Sequence, residues 1–162
     1  MALVFVGIGS SINRQENICL GIQALQTTFG ELTISPVYES EAVGFKGNNF
    51  YNLVVSFNSS LSPTQLINKF KQIEIQQGRP EKPIKFAPRT LDLDLLLHDK
   101  LILPEIDLPR AEILTNAFVL QPLSEIAPLL KHPISDETYQ SLWAKFPKSQ
   151  QKLWQIDAIT NH

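Results

Sequence analysis

The run Leu91-Asp92-Leu93-Asp94-Leu95-Leu96-Leu97 does most to narrow what this chain can become. In an extended strand, successive side chains point to opposite faces. Leu91, Leu93, Leu95 and Leu97 then share one face, which has to be covered. Asp92 and Asp94 share the other, with Cα atoms roughly 6–7 Å apart. Carboxylates at that spacing repel by about 2–3 kcal/mol at an effective dielectric near 20. A fold can carry that cost where something cationic sits between them, and Mg²⁺ favours carboxylates together with substrate phosphates. The plainer alternative is a solvent-facing strand side that happens to carry two aspartates.

The other elements follow from periodicity and punctuation. Leu3 to Ile8 is a β-rich apolar run ended by Gly9-Ser10-Ser11. Asn13 with Glu16 three residues on is a capping-box pattern, and Ile18, Ile22, Leu25 and Phe29 keep helical spacing up to Gly30. Thr33 to Tyr38 reads as a strand whose Pro36 suits an edge or a bulge. Phe50 to Phe57 is a third strand. Ser62-Pro63 opens a second helix, with Leu66, Phe70, Ile73 and Gln77 on one face and Gly78 as the stop. Leu91 to His98 is the fourth strand, Leu101 to Leu103 a candidate fifth, and 104–116 reads as irregular. Ala117 to Ile126 predicts a short helix that Pro122 must start or kink. From about Asp136, Leu142, Trp143, Phe146 and Trp154 recur at roughly helical intervals and predict a helical tail over 136–160.

The predicted order is β-α-β-β-α-β, the ferredoxin-like arrangement of the α/β class, with C-terminal helices added. One domain spans 1–162, with its core over about 3–130. This fold hosts many activities, so the side chains have to carry the functional argument.

Composition sets outer limits. The 162 residues suit one domain, and 43% apolar content supplies a core. A net charge of −2 gives no global field for nucleic acid. The lone Cys19 has no partner for an internal disulfide, and the apolar N-terminus lacks a basic flank. No apolar run reaches the roughly 18 residues of a membrane helix. These features predict a cytoplasmic chain with neither a nucleic-acid nor a membrane partner; a monomer is the expected state, though no feature of the sequence sets it.

Just before the acidic strand, Arg79, Lys82, Lys85 and Arg89 fall within eleven residues. Guanidinium groups clamp phosphate oxygens through paired hydrogen bonds. Basic loop and acidic strand together describe a site for metal-bound polyphosphate. Ordinary surface ion pairs on a solvated loop are the alternative. Three prolines lie in 79–88, and that segment is expected to move when ligand binds. Walker-type phosphate loops and dinucleotide fingerprints are missing: Gly7-Ile8-Gly9-Ser10 lacks a third glycine. The three histidines are scattered.

The run Lys85-x-Ala87-Pro88-Arg89-x-x-Asp92-x-Asp94-Leu95-Leu96 resembles the signature of the 6-hydroxymethyl-7,8-dihydropterin pyrophosphokinases. Four further blocks resemble that family in order: Gly9-Ser10-Ser11, Ser35 to Ser40, Gln72-Ile73-Glu74-x-x-x-Gly78-Arg79, and Ala117 to Pro128. The resemblance spans roughly residues 3 to 130. It implies transfer of pyrophosphate from ATP to the hydroxymethyl group of 6-hydroxymethyl-7,8-dihydropterin in folate synthesis, with two Mg²⁺ ions. It also implies roles. Asp92 and Asp94 would hold the metals and act in catalysis with Arg79 and Arg89. Glu74, Arg79, Lys82, Arg89 and Arg110 would bind ATP. Phe50 and Phe118 would stack on the pterin, with Asn52, Ser40 and Val43 on its polar edge. The family carries His near the position of Arg110, Arg near Asn116, and often Trp near Phe86. The alternative function is a catalytically weak relative that binds a pterin-like ligand without efficient transfer.

Overall fold

The computed structural model describes residues 1–41, 49–78 and 90–156. Its elements are β1 (Ala2–Ser10), α1 (Arg14–Phe29), β2 (Thr33–Ile34), β3 (Val37–Ser40), β4 (Phe50–Ser59), α2 (Pro63–Gln76), β5 (Asp92–His98), α3 (Glu112–Thr115), α4 (Ala117–Ile126), α5 (Tyr139–Lys145) and β6 (Leu153–Ile156). The strands form one antiparallel sheet in the order β5-β1-β4-β3-β6, with β2 also on β4. This is the ferredoxin-like arrangement with one strand added at its edge. Pro36 divides the expected second strand into β2 and β3. At that break the Ser35 N–H donates to the Val54 carbonyl, and Ser35 Oγ accepts from the Val54 N–H.

Alternation on the strands separates two cores. Val4, Val6 and Ile8 of β1 and Leu53, Val55 and Phe57 of β4 pack with Ile18, Ile22 and Leu25 of α1 and Leu66, Phe70 and Ile73 of α2. Phe29 closes the α1 face by stacking on Phe57, centroids 4.4 Å apart. Cys19 is half-buried against the same core. On the opposite face Phe5, Val54 and Leu96 pack with Ile113, Val119, Leu120, Leu123 and Tyr139. The molecule is therefore helix, sheet, helix in layers. Among the described residues no helix is long and apolar enough to cross a membrane.

Helix α2 starts as its sequence requires: the Gln65 N–H donates to Ser62 Oγ, and the Ser62 N–H donates back to Gln65 Oε1. Helix α1 does not. Asn13 adopts a left-handed conformation with φ 42° and makes no side-chain cap. Asparagine tolerates this region better than most residues. The turn is held by Asn17 Nδ2 and Ser10 Oγ, which both donate to the Ile12 carbonyl. The single Ser10 hydroxyl proton is shared between that carbonyl at 3.1 Å and the Thr90 carbonyl at 2.5 Å, so this serine ties β1 to the entry of β5.

Three other expectations change. Leu97 leaves the face of Leu91, Leu93 and Leu95 and joins the second core. The cause is a register shift between Phe5 and Val6: Val6 faces Leu95 while Phe5 faces Leu97. One extra residue on β5 turns the following side chain to the other side of the sheet. Leu101 to Leu103 is not a strand; Leu103 makes an isolated bridge with Leu108. Among the described tail residues α5 and a 3-10 turn at Lys148–Gln150 are helical, and Trp154 lies on β6, which pairs with β3 along its whole length. An open strand edge next to an extended segment outweighs weak helical spacing.

Candidate active site

Among the described residues the second face of the sheet is uncovered at one end. Gly9 and Gly7 of β1 stand opposite Asp92 and Asp94 of β5, and Asn52 of β4 stands opposite Gly9. These five positions share one side, and two of them have no side chain. The result is a cavity of about 370 Å³ floored by Gly7, Gly9 and Asn52. A Cβ built on Gly9 would stand 2.9 Å from Asn52 Oδ1, so glycine is what keeps that floor open.

One wall is acidic and carries a cation. Asp92 and Asp94 are half-buried on β5 and line the cavity. The Arg110 guanidinium comes within 3.6 Å of Asp94, 3.0 Å of Glu112 and 3.9 Å of Asp107. Its backbone N–H donates to the Leu96 carbonyl, which fixes the residue beside β5. Loss of water pushes the Asp94 carboxyl upward, the charge of Asp92 pushes it further, and Arg110 only partly offsets both. For Arg110 burial acts downward, and the carboxylates of Asp94 and Glu112 overcome it, so the group is held above its ordinary value.

The facing wall is flat and polar-edged. Phe50 and Phe118 are half-buried and both line the cavity. Asn52 Nδ2 donates to Ser40 Oγ at 3.0 Å, which fixes the amide and leaves its oxygen toward Gly9. Half-buried rings beside a fixed amide suit a planar heteroaromatic ligand with hydrogen-bonding edges. Asn116 completes the lining between α3 and α4.

Six expected site residues, Asp92, Asp94, Arg110, Phe50, Asn52 and Phe118, thus meet around one cavity, with Ser40 at its edge. Glu74 takes another position: it is buried on α2, and its Oε2 accepts from the Leu93 N–H of the outer strand at 2.7 Å. Val43, Arg79, Lys82, Arg89 and the expected moving segment 79–88 lie outside the described residues. Two features were not anticipated. Glu112 lines the cavity rather than the surface alone. Gly7 and Gly9 form the floor, a role legible from their two-residue spacing on a strand.

The donor set fits a hard divalent ion. Two carboxylates project from one strand face opposite glycines that leave room, and a guanidinium already stands against one of them. Among the described residues no group of three or more acidic, His or Cys side chains could hold a metal unaided. Mg²⁺ commonly fills such incomplete sets with substrate phosphate oxygens and water.

Comparison with known proteins identifies the family. The family model described as 7,8-dihydro-6-hydroxymethylpterin-pyrophosphokinase matches residues 5–128. A protein of Aquifex aeolicus named 2-amino-4-hydroxy-6-hydroxymethyldihydropteridine pyrophosphokinase is 38% identical over 138 residues, covering 83% of this chain and 86% of its own. A Bacillus subtilis protein of the same name is 31% identical over 145 residues, covering 85% and 86%. The crystal structure of wild-type Plasmodium falciparum HPPK-DHPS with pteroate aligns with TM-score 0.69 at 13% identity. It covers 89% of this chain, which spans 42% of that longer one, and the likeness is one of fold. The chain belongs to the 7,8-dihydro-6-hydroxymethylpterin-pyrophosphokinase family.

Proposed function

We propose that this chain transfers a pyrophosphoryl group from ATP to the hydroxymethyl oxygen of 6-hydroxymethyl-7,8-dihydropterin, releasing AMP and the pterin diphosphate. The observation that carries this reading is the pairing, across one cavity, of the Asp92 and Asp94 carboxylates with the Phe50, Phe118 and Asn52 wall. One side suits metal-bound phosphate and the other a flat polar heterocycle. The acceptor oxygen attacks the β-phosphorus, and the bond from that phosphorus to the bridging oxygen of AMP breaks.

In this reading Phe50 and Phe118 hold the ring faces, while Asn52, Ser40 and Val43 select its edge. Arg110 stands on the triphosphate side, and Arg79, Lys82 and Arg89 are assigned to binding the same triphosphate by the family resemblance. Glu74 acts on the nucleotide side by holding the edge of β5, where its carboxylate already accepts from Leu93. Asp92 and Asp94 would hold two Mg²⁺ ions together with the triphosphate, and the bound ions would supply neutralisation of the charge on the transferred group. Among the described residues none that lines the cavity is a histidine, and the side chains there act by positioning and charge. Work inside a cytoplasmic compartment, as a monomer, belongs to the same proposal.

Incubation with ATP, Mg²⁺ and the hydroxymethyl-dihydropterin tests it. AMP should appear only when the pterin is present. Pterin binding without AMP would instead support the weakly catalytic relative.

The glycine floor yields a sharper expectation. In Gly9→Ala the new methyl group displaces the Asn52 amide from its bond to Ser40. Loss of one fixed polar partner and of space should raise acceptor KM roughly tenfold or more. Steady-state kinetics at saturating ATP check this, and an unchanged acceptor KM would move the ring away from this floor.

A further inference from the structure

The C-terminal segment lies beyond the residues matched by the family model, which end at 128, yet it holds two separate elements beside the acceptor side of the cavity. Strand β6 pairs with β3 so that Leu153 faces Ser40, the last residue of β3 and part of the cavity lining. Two residues before β6, the Gln151 side chain makes a two-point bridge. Its Oε1 accepts from the Ala117 N–H at 2.8 Å, and its Nε2 donates to the Thr115 carbonyl at 2.7 Å.

That bridge spans one residue, Asn116, the single extended position between α3 and α4, with φ −118° and ψ 119°. An asparagine there would ordinarily cap the following helix with its own side chain. Here it makes no such cap; Gln151 satisfies the Ala117 N–H, and Asn116 Oδ1 accepts from Thr115 Oγ1 at 3.3 Å. The Asn116 junction is thereby held on both flanks by one side chain from outside, and with it the direction in which α4 leaves. Phe118 is the second residue of α4, so its ring depends on that direction.

We infer that Gln151 is a positioning residue for the acceptor side of the cavity: it fixes the Asn116 junction, and through it Phe118, to the same tail segment that holds Ser40. Gln151 does not line the cavity, so it acts only through these groups. The inference rests on the proposed assignment of Phe118 and Ser40 to the acceptor.

Gln151→Met keeps length and removes both hydrogen bonds; Gln151→Glu keeps an acceptor for Ala117 but loses the donor to Thr115. The Gln151→Met protein should exchange the Ala117 amide roughly tenfold faster and raise acceptor KM by roughly the same factor. Its kcat and ATP KM should stay within about twofold of wild type, a split that general loosening of the fold would not produce. Gln151→Glu should protect Ala117 better than Gln151→Met. Equilibrium titration of the acceptor, with a non-hydrolysable ATP analogue and Mg²⁺, repeats the comparison without turnover. Wild type that binds the acceptor but releases no AMP overturns the reaction, and the titration still decides the role of Gln151. Unchanged acceptor affinity in Gln151→Met, an equal fall in every kinetic parameter, or a wild type that binds no acceptor overturns the inference.

Discussion

Asp92→Asn and Asp94→Asn should each lower turnover roughly a thousandfold or more, while the ligand-free protein stays as stable as wild type or gains stability. The kinetic part follows from the position of the carboxylates. They form the anionic wall of the cavity and are the acidic groups on β5 that face the open floor. An amide of the same shape keeps the packing and gives up the charge that a divalent ion requires. The stability part follows from electrostatics. The Asp94 carboxyl is pushed above its ordinary value by burial and by Asp92. A carboxyl so raised binds its proton more tightly folded than unfolded, and ionising it penalises the folded state. That penalty begins near the unfolded value of about 4 and grows until the pH passes the folded value. At neutral pH the wild-type protein bears it and Asp94→Asn does not. Thermal unfolding of both without metal, across pH 4 to 8, should show wild type losing stability relative to Asp94→Asn as pH rises. A large drop in the apo Tm of either variant would make the aspartates structural.

Removal of Arg110 should strike the nucleotide. Arg110→Ala is expected to weaken ATP binding by about 1.5–3 kcal/mol, the usual range for charge-assisted hydrogen bonds. Two environments compete for this guanidinium. Without ligand it is shared among Asp94, Glu112 and Asp107. The pairs with Glu112 and Asp107, which are partly exposed, contribute less than about 1 kcal/mol each. The contact with Asp94 is different, because it brings a permanent positive charge to the edge of the site where polyphosphate is proposed to lie. Arg110→His should retain part of the function and bind ATP better at pH 6 than above pH 7, since imidazole loses its charge near about 6.5. Titration of ATP at fixed Mg²⁺ reads both variants. Unchanged affinity and turnover in Arg110→Ala would leave it a surface ion-pair residue.

Much of this site could be read from local sequence because its main strand is self-describing. Alternating leucine and aspartate over 91–95 sets strand, face and carboxylate pair together, and the sheet has Asp92 and Asp94 where that pattern puts them. Past Leu95 the alternation fails, because the shift that turns Leu97 over arises from the partner residues Phe5 and Val6. No reading of residues 91–97 alone contains it. Trp154 is similar: its extended state comes from the free edge of β3, a neighbour far away in sequence. Asn13 carries the composition of a helix cap, but the tight exit from β1 demands a left-handed residue there, and turn geometry prevails over cap preference. The glycine floor was legible in principle. Gly7 and Gly9 read as a failed dinucleotide fingerprint until their two-residue spacing is placed on a strand.

The central claim concerns which bond of ATP breaks. ATP labelled at the γ-phosphate separates the possible outcomes in one reaction with Mg²⁺ and 6-hydroxymethyl-7,8-dihydropterin. Pyrophosphoryl transfer predicts that the label moves to the pterin product in equal amount to the AMP released, with the product carrying two phosphates. Label recovered in a pterin monophosphate beside ADP, or label left in ATP while the pterin is bound, would contradict it.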